Sequence, residues 1–161
     1  MEEETEKQRW DRNFADLLQE LRVAQTGVQI LFAFLLILPF SAEFPKATNF
    51  QRDVYVVALL SAAGSAALII SPVAFHRALF RLGRKPELVR FAHTMATGGL
   101  AFTLVSMVAS VLLITDFLLS RPVAFVLSGA TALWFFTFWA FLPFLRRNWT
   151  DEPLPRGTTR R

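Results

Sequence analysis

Four stretches of this chain are long and apolar enough to cross a lipid bilayer, and they leave little freedom in what it can fold into. They cover residues 23–40, 54–75, 91–115 and 123–145, or 18, 22, 25 and 23 residues. A helix rises about 1.5 Å per residue, so about 20 residues span a hydrocarbon core of about 30 Å. In lipid a single segment satisfies its own backbone N–H and C=O groups only as a helix. The expected fold is therefore all-α, an integral membrane four-helix bundle whose transmembrane domain covers 23–145. Hydrophobic residues are 53% of the 161, with 17 phenylalanines, more apolar surface than a water-soluble domain of this length can hide. The first run is expected to be a retained span. It follows the acidic "MEEETEK" and ends on bulky Phe40, where a signal peptide has a basic start and a small-residue cleavage site.

Charge placement gives the expected orientation. Of 17 Lys and Arg, 14 fall in residues 1–22, 76–90 and 146–161; Lys46, Arg52 and Arg121 are the rest. Positive residues stay with the cytoplasm during insertion, so both termini and the 76–90 loop are expected there. In a soluble chain a net charge of +4 would suggest nucleic acid. Here it sits at span ends, and no nucleic-acid partner is expected. The basic loop suits anionic lipid headgroups, at about 1 kcal/mol per residue.

The segments outside the spans differ from one another. In residues 1–22, Trp10, Phe14, Leu17, Leu18 and Leu21 recur at helical spacing, which predicts an amphipathic helix lying at the membrane interface, docked under the bundle or continuous with the first span. Residues 146–161 are rich in Pro, Gly and charge, a composition that predicts a disordered basic tail. Seven of the eleven residues from Trp134 to Phe144 are aromatic, either a lipid-facing wall or a partner surface. Trp139 and Trp149 are expected as anchors at one interface and Tyr55 at the other.

Small residues predict where helices pack. Ser61, Gly64 and Ser65 lie in the second run; Gly99, Thr103, Ser106 and Ser110 follow spacings of 4, 3 and 4 in the third. Such stripes let helix backbones approach closely.

Signals for chemistry are sparse. There is no cysteine and there are two histidines, which leaves no disulfide, no thiolate nucleophile and little basis for zinc. No Walker, HExxH, GxSxG or dinucleotide pattern occurs, so neither enzyme activity nor a cofactor nor a metal is expected. Polar residues do gather at the cytoplasmic ends of three spans. Arg22, Gln25, Thr26 and Gln29 share one helix face above Glu20; His76 and Arg77 close the second span, and Arg90 and His93 open the third. They read as helix adhesion or as a hydrated cytoplasmic mouth. Asp116, near the outer end of the third span, is a titratable candidate, with Arg121 close in sequence.

The segments "ELRVAQTGVQILFAFLL", "RDVYVVALL" and "SPVAFHRALFRLGRKPELVR", set in a four-span pattern, resemble a family of small bacterial membrane proteins of unknown function. That family is common in actinobacteria and is often labelled "sodium:proton antiporter". The resemblance covers about residues 16–147. It implies the bacterial inner membrane and assigns no site residues. Two functions follow as expectations. One is a non-enzymatic accessory or structural component that forms a homo-oligomer or joins a membrane partner protein. The other is ion or small-solute transport through an oligomer with a polar cytoplasmic mouth.

Overall fold

A computed structural model describes residues 6–79 and 85–146. The expected 146–161 tail and the 80–84 turn lie outside the described residues, apart from the backbone of Arg146. The fold is all-helical: α1 (Glu6–Ile37), α2 (Asn49–Leu79), α3 (Lys85–Leu118), α4 (Arg121–Phe136) and a short α5 (Leu142–Arg146). Four apolar segments, Leu18–Phe40, Asn49–Phe75, Arg90–Leu118 and Arg121–Leu145, are long enough to cross a membrane.

The amphipathic segment and the first span are one helix, not two elements. Between Glu6 and Ile37 there is no proline and a single glycine, Gly27, so nothing in the backbone breaks the hydrogen-bond ladder at residue 22. The 32 residues of α1 give about 48 Å at 1.5 Å per residue, so its first turns extend past a bilayer core. Pro39 ends it and opens a 3-10 turn over Leu38–Phe40; a second, Phe44–Lys46, begins with Phe44–Pro45. Each proline removes the N–H that an α-helix would need.

The core is the antiparallel pair α2–α3. Ser65 Oγ donates to the Gly99 carbonyl at 2.8 Å and lies 2.7 Å from Thr103 Oγ1; Ser106 Oγ donates to the Ala58 carbonyl at 2.8 Å. Ser65 and Ser106 are fully buried, and Ser61 and Thr103 nearly so. Ser110 instead bonds back to the Ser106 carbonyl within α3. The small-residue stripes of the two helices thus lie against one another. Pro72, buried inside α2, cannot donate to the carbonyl four residues back. Ser71 Oγ takes that place, donating to the Leu68 carbonyl at 2.8 Å, which removes an orphan acceptor from an apolar setting.

The other helices are added to this pair. Helix α1 packs on α2 and α3 through Leu21, Val28 and Leu35, spaced by sevens. Helix α4 packs on α3 through Ala124 and Ser128. Among the described residues the backbones of α1 and α4 do not approach one another, so the arrangement is an open row rather than a closed four-helix bundle. The reason lies in the residues: α4 offers only a narrow small-residue face, and its large side chains Val126, Leu133, Trp134 and Phe136 are exposed.

Tyr55 departs from the interfacial anchor expected of it. It is buried, donates to the Leu35 carbonyl at 3.1 Å and meets Phe44 edge-on at 5.0 Å. A free Leu35 carbonyl near the end of α1 is a better partner than water once the ring is covered. Tyr55→Phe is expected to lower stability by about 1 kcal/mol, read as an earlier unfolding midpoint in detergent. No change would show that the bond is immaterial.

Near the end of α4 the backbone widens into one π turn, Thr137–Phe141, where the Leu142 N–H reaches the Thr137 carbonyl. Pro143 follows at once. It has no N–H to give Trp139 and its ring crowds that carbonyl, and widening the turn relieves the crowding.

Candidate functional site

Two polar regions lie at opposite ends of the apolar helices. The first, on the side of Asp116, begins as a helix cap. The Thr48 N–H donates to Gln51 Oε1 at 2.9 Å, and the Gln51 N–H reaches Thr48 Oγ1 at 3.3 Å. This reciprocal pair satisfies two of the donors that a helix start leaves free. The cap spends only the oxygen of the Gln51 amide. Its Nε2 donates to Asp116 Oδ2 at 2.9 Å, across from α2 to the end of α3.

Asp116 then reaches a third helix. Its Oδ1 accepts from Arg121 Nε at 3.2 Å; the Asp116 side chain is 3% exposed and that of Arg121 51%. The Arg121 guanidinium lies 4.4 Å over the Phe50 ring, a cation–π contact. One carboxylate therefore joins the start of α2, the end of α3 and the start of α4, with both oxygens engaged. Chemically this is a structural tie. Each oxygen accepts one of the bonds that hold the three helix ends together.

The pattern Thr48-x-x-Gln51 ahead of an apolar run was readable as a cap. That Gln51 also reaches Asp116 was not, because the two are 65 positions apart. Beside the tie, the 38–46 turns fold over the end of α3 and leave an apolar hollow of about 230 Å³ between Leu38, Phe44, Leu113 and Phe117. Glu43 stands at its edge, held by Lys46 Nζ at 2.9 Å.

The second region is the set of polar residues at the Arg22 end. Leu21 and Val28 take the inward face of α1, where they meet Ile69 and Ala96. Arg22, Thr26 and Gln29 lie about a quarter-turn round and are exposed, and Gln25 is half-buried. Glu20, Arg90 and His93 are exposed too. Thr26 Oγ1 donates to the Arg22 carbonyl at 3.0 Å, within its own helix. Among the described residues the side chains of Gln25, Gln29, Glu20, Arg90 and His93 make no hydrogen bond or ion pair. The His76 and Arg77 side chains lie outside the described residues. Among the described residues the contacts between helices at this end are apolar, and Arg22, Thr26 and Gln29 turn outward beside the half-buried Gln25.

Depth makes Gln29 notable. It is seven residues, about 10 Å of rise, beyond Arg22 and at the midpoint of the Leu18–Phe40 segment. In a bilayer its amide would face lipid tails. Among the described residues no group of three His, Cys, Asp or Glu could hold a metal ion.

A family model described as a family of unknown function, DUF6328, matches residues 3–143. No curated protein and no solved structure matches the chain.

Proposed function

For a chain that belongs to DUF6328, a family of unknown function, we propose a non-enzymatic role as an integral component of a bacterial cytoplasmic-membrane assembly. The observation that carries this reading is Gln29: a primary amide, exposed and unpartnered on the surface of an apolar segment. An amide left in hydrocarbon without a partner costs several kcal/mol. A neighbouring helix that hydrogen-bonds it removes that penalty. The open row supports the same reading, since the exposed flank of α1 is not closed off by α4. The Lys/Arg bias favours both termini in the cytoplasm.

The second reading, sodium or proton transport, asks for an ionisable group that can be freed at depth. Asp116 is the nearest candidate, and its two oxygens are tied to Gln51 and Arg121 near the end of the segment. The accessory reading gains from that.

Two measurements test the choice. In mild detergent or native nanodiscs the chain is expected to run as part of a complex heavier than one 18.2 kDa chain. In proteoliposomes it is expected to move neither sodium nor protons above protein-free vesicles. A strict monomer with no associated protein would sink the assembly reading. A cation flux abolished by Asp116→Asn would replace it with transport.

A further inference from the structure

The exposed surface of α1 is divided. Val23, Ile30, Phe34 and Ile37 form one wholly apolar strip, 55–72% exposed, which lipid tails solvate without loss. A second strip holds Arg22, Thr26, Gln29, Ala33 and Leu36, all exposed. Their spacings are 4, 3, 4 and 3, the repeat by which one helix winds against another.

That repeat already operates once in this helix. Leu21, Ala24, Val28, Leu31 and Leu35 follow spacings of 3, 4, 3 and 4, and each is buried or half-buried where α1 meets α2 and α3. Helix α1 thus carries two seams, one filled and one open. Polar and small residues are on the open seam, not on the lipid strip. Within one turn of Gln29 stand Thr26 and Ala33, small enough for close backbone approach. The Thr26 hydroxyl is satisfied within its own helix, so the Gln29 amide is the group on this strip still needing a partner at depth.

We infer that the open seam is the contact with a second copy of the chain, α1 packed parallel to α1 with Gln29 facing Gln29 across a twofold axis normal to the membrane. This rests on the assembly reading above and names the partner. Two copies inserted with the same topology run parallel, so each residue meets its own counterpart at its own depth. Few polar side chains suit such a meeting. A carboxylate or an ammonium repels its twin, whereas an amide both donates and accepts and so pairs with itself. A single amide in an otherwise apolar heptad seam also fixes register. Arg22 sits at the end of the seam, where its long stem lets the charge splay into the headgroups.

The absence of cysteine makes the test clean. Single variants Thr26→Cys, Gln29→Cys and Ala33→Cys on the seam, with Ile30→Cys and Phe34→Cys on the lipid strip, are oxidised with copper phenanthroline in native membranes. Seam positions are expected to give at least ten times more covalent dimer than strip positions. Independently, the full chain in nanodiscs is expected at twice 18.2 kDa, with the dimer fraction lowered several-fold by Gln29→Leu and less by Gln29→Asn. Cross-linking that is uniform or confined to the strip would overturn the inference, as would a dimer indifferent to Gln29→Leu. If the seam instead cross-links to a different protein, the second-copy inference falls and the assembly reading stands. If the chain is alone and monomeric, both fall.

Discussion

Gly99→Val is expected to lower stability more than any other single change considered, by about 2–4 kcal/mol. A Cβ on residue 99 would sit 2.6 Å from Ile69 Cγ1. Ile69 is 1% exposed and branched at Cβ, so that atom cannot swing clear. The helices must part, and parting them loosens the Ser65 bond to the Gly99 carbonyl and the contact with Thr103. Overpacking costs about 1–3 kcal/mol, and each interhelical hydrogen bond lost in a membrane setting about 0.6 kcal/mol.

Gly64→Ala serves as the comparison. Its Cβ would lie 3.1 Å from Phe102 Cδ1, but Phe102 is 45% exposed and its ring can turn aside, so a loss below about 1 kcal/mol is expected. Unfolding in detergent reads both, and the double variant Gly99→Val with Ile69→Ala should recover part of the loss. Equal, small effects at 64 and 99, or no rescue, would mean that the α2–α3 approach is not limited at Gly99.

The second large effect is expected at the other end of the same helices. Asp116→Ala removes the nearer acceptor of the Gln51 amide, leaving its Nε2 only the long 3.4 Å contact with the Asp116 backbone carbonyl, and Gln51 is 6% exposed. Leaving a buried donor poorly paired costs about 1–3 kcal/mol. Arg121→Ala takes away the other partner of the same carboxylate, yet it should cost less than about 1 kcal/mol. The arginine side chain is 51% exposed, and an ion pair with an arm in water contributes little. Asp116→Asn keeps an acceptor for Gln51 and should fall between the two. Hydrogen exchange of the 48–53 amides locates the damage: Asp116→Ala should raise it at the start of α2, while Arg121→Ala should hardly change it. Equal effects of the two alanine variants would show that Gln51 is satisfied elsewhere and that the cap does not depend on α3.

How much of this was legible follows from the kind of signal each feature leaves. The four helices long enough to cross a membrane are written as long apolar runs, and their helical state in lipid follows from backbone chemistry alone. The α2–α3 contact is written as small residues at regular spacing: Gly99, Thr103 and Ser106 mark the face that meets α2. The face taken by Gln29 is a different matter. Polar residues at one helix end suggested a shared mouth, but Leu21, Val28 and Leu35 compete for the inward position and take it, so the glutamine is carried round to the surface. Spacing shows which residues share a face and does not say which of two faces looks inward. Tyr55 was hidden for a related reason. An aromatic with a hydroxyl near a span end suits either a headgroup or a helix-end carbonyl, and only the packing of α1 decides between them. The tie through Asp116 depends on residues far apart in the chain, which no local pattern announces.

The open row has a meaning for how the molecule is built. Each helix leans mainly on the one synthesised just before it, with lesser contacts of α1 with α3 and of the start of α4 with Phe50 of α2. With such helices entering a bilayer N-terminus first, every newcomer would meet a finished berth. Nothing already inserted has to be pried open, and most of each helix's contact is with its predecessor, so loop closure asks little of the entropy. The order of arrival and the main order of contact are the same.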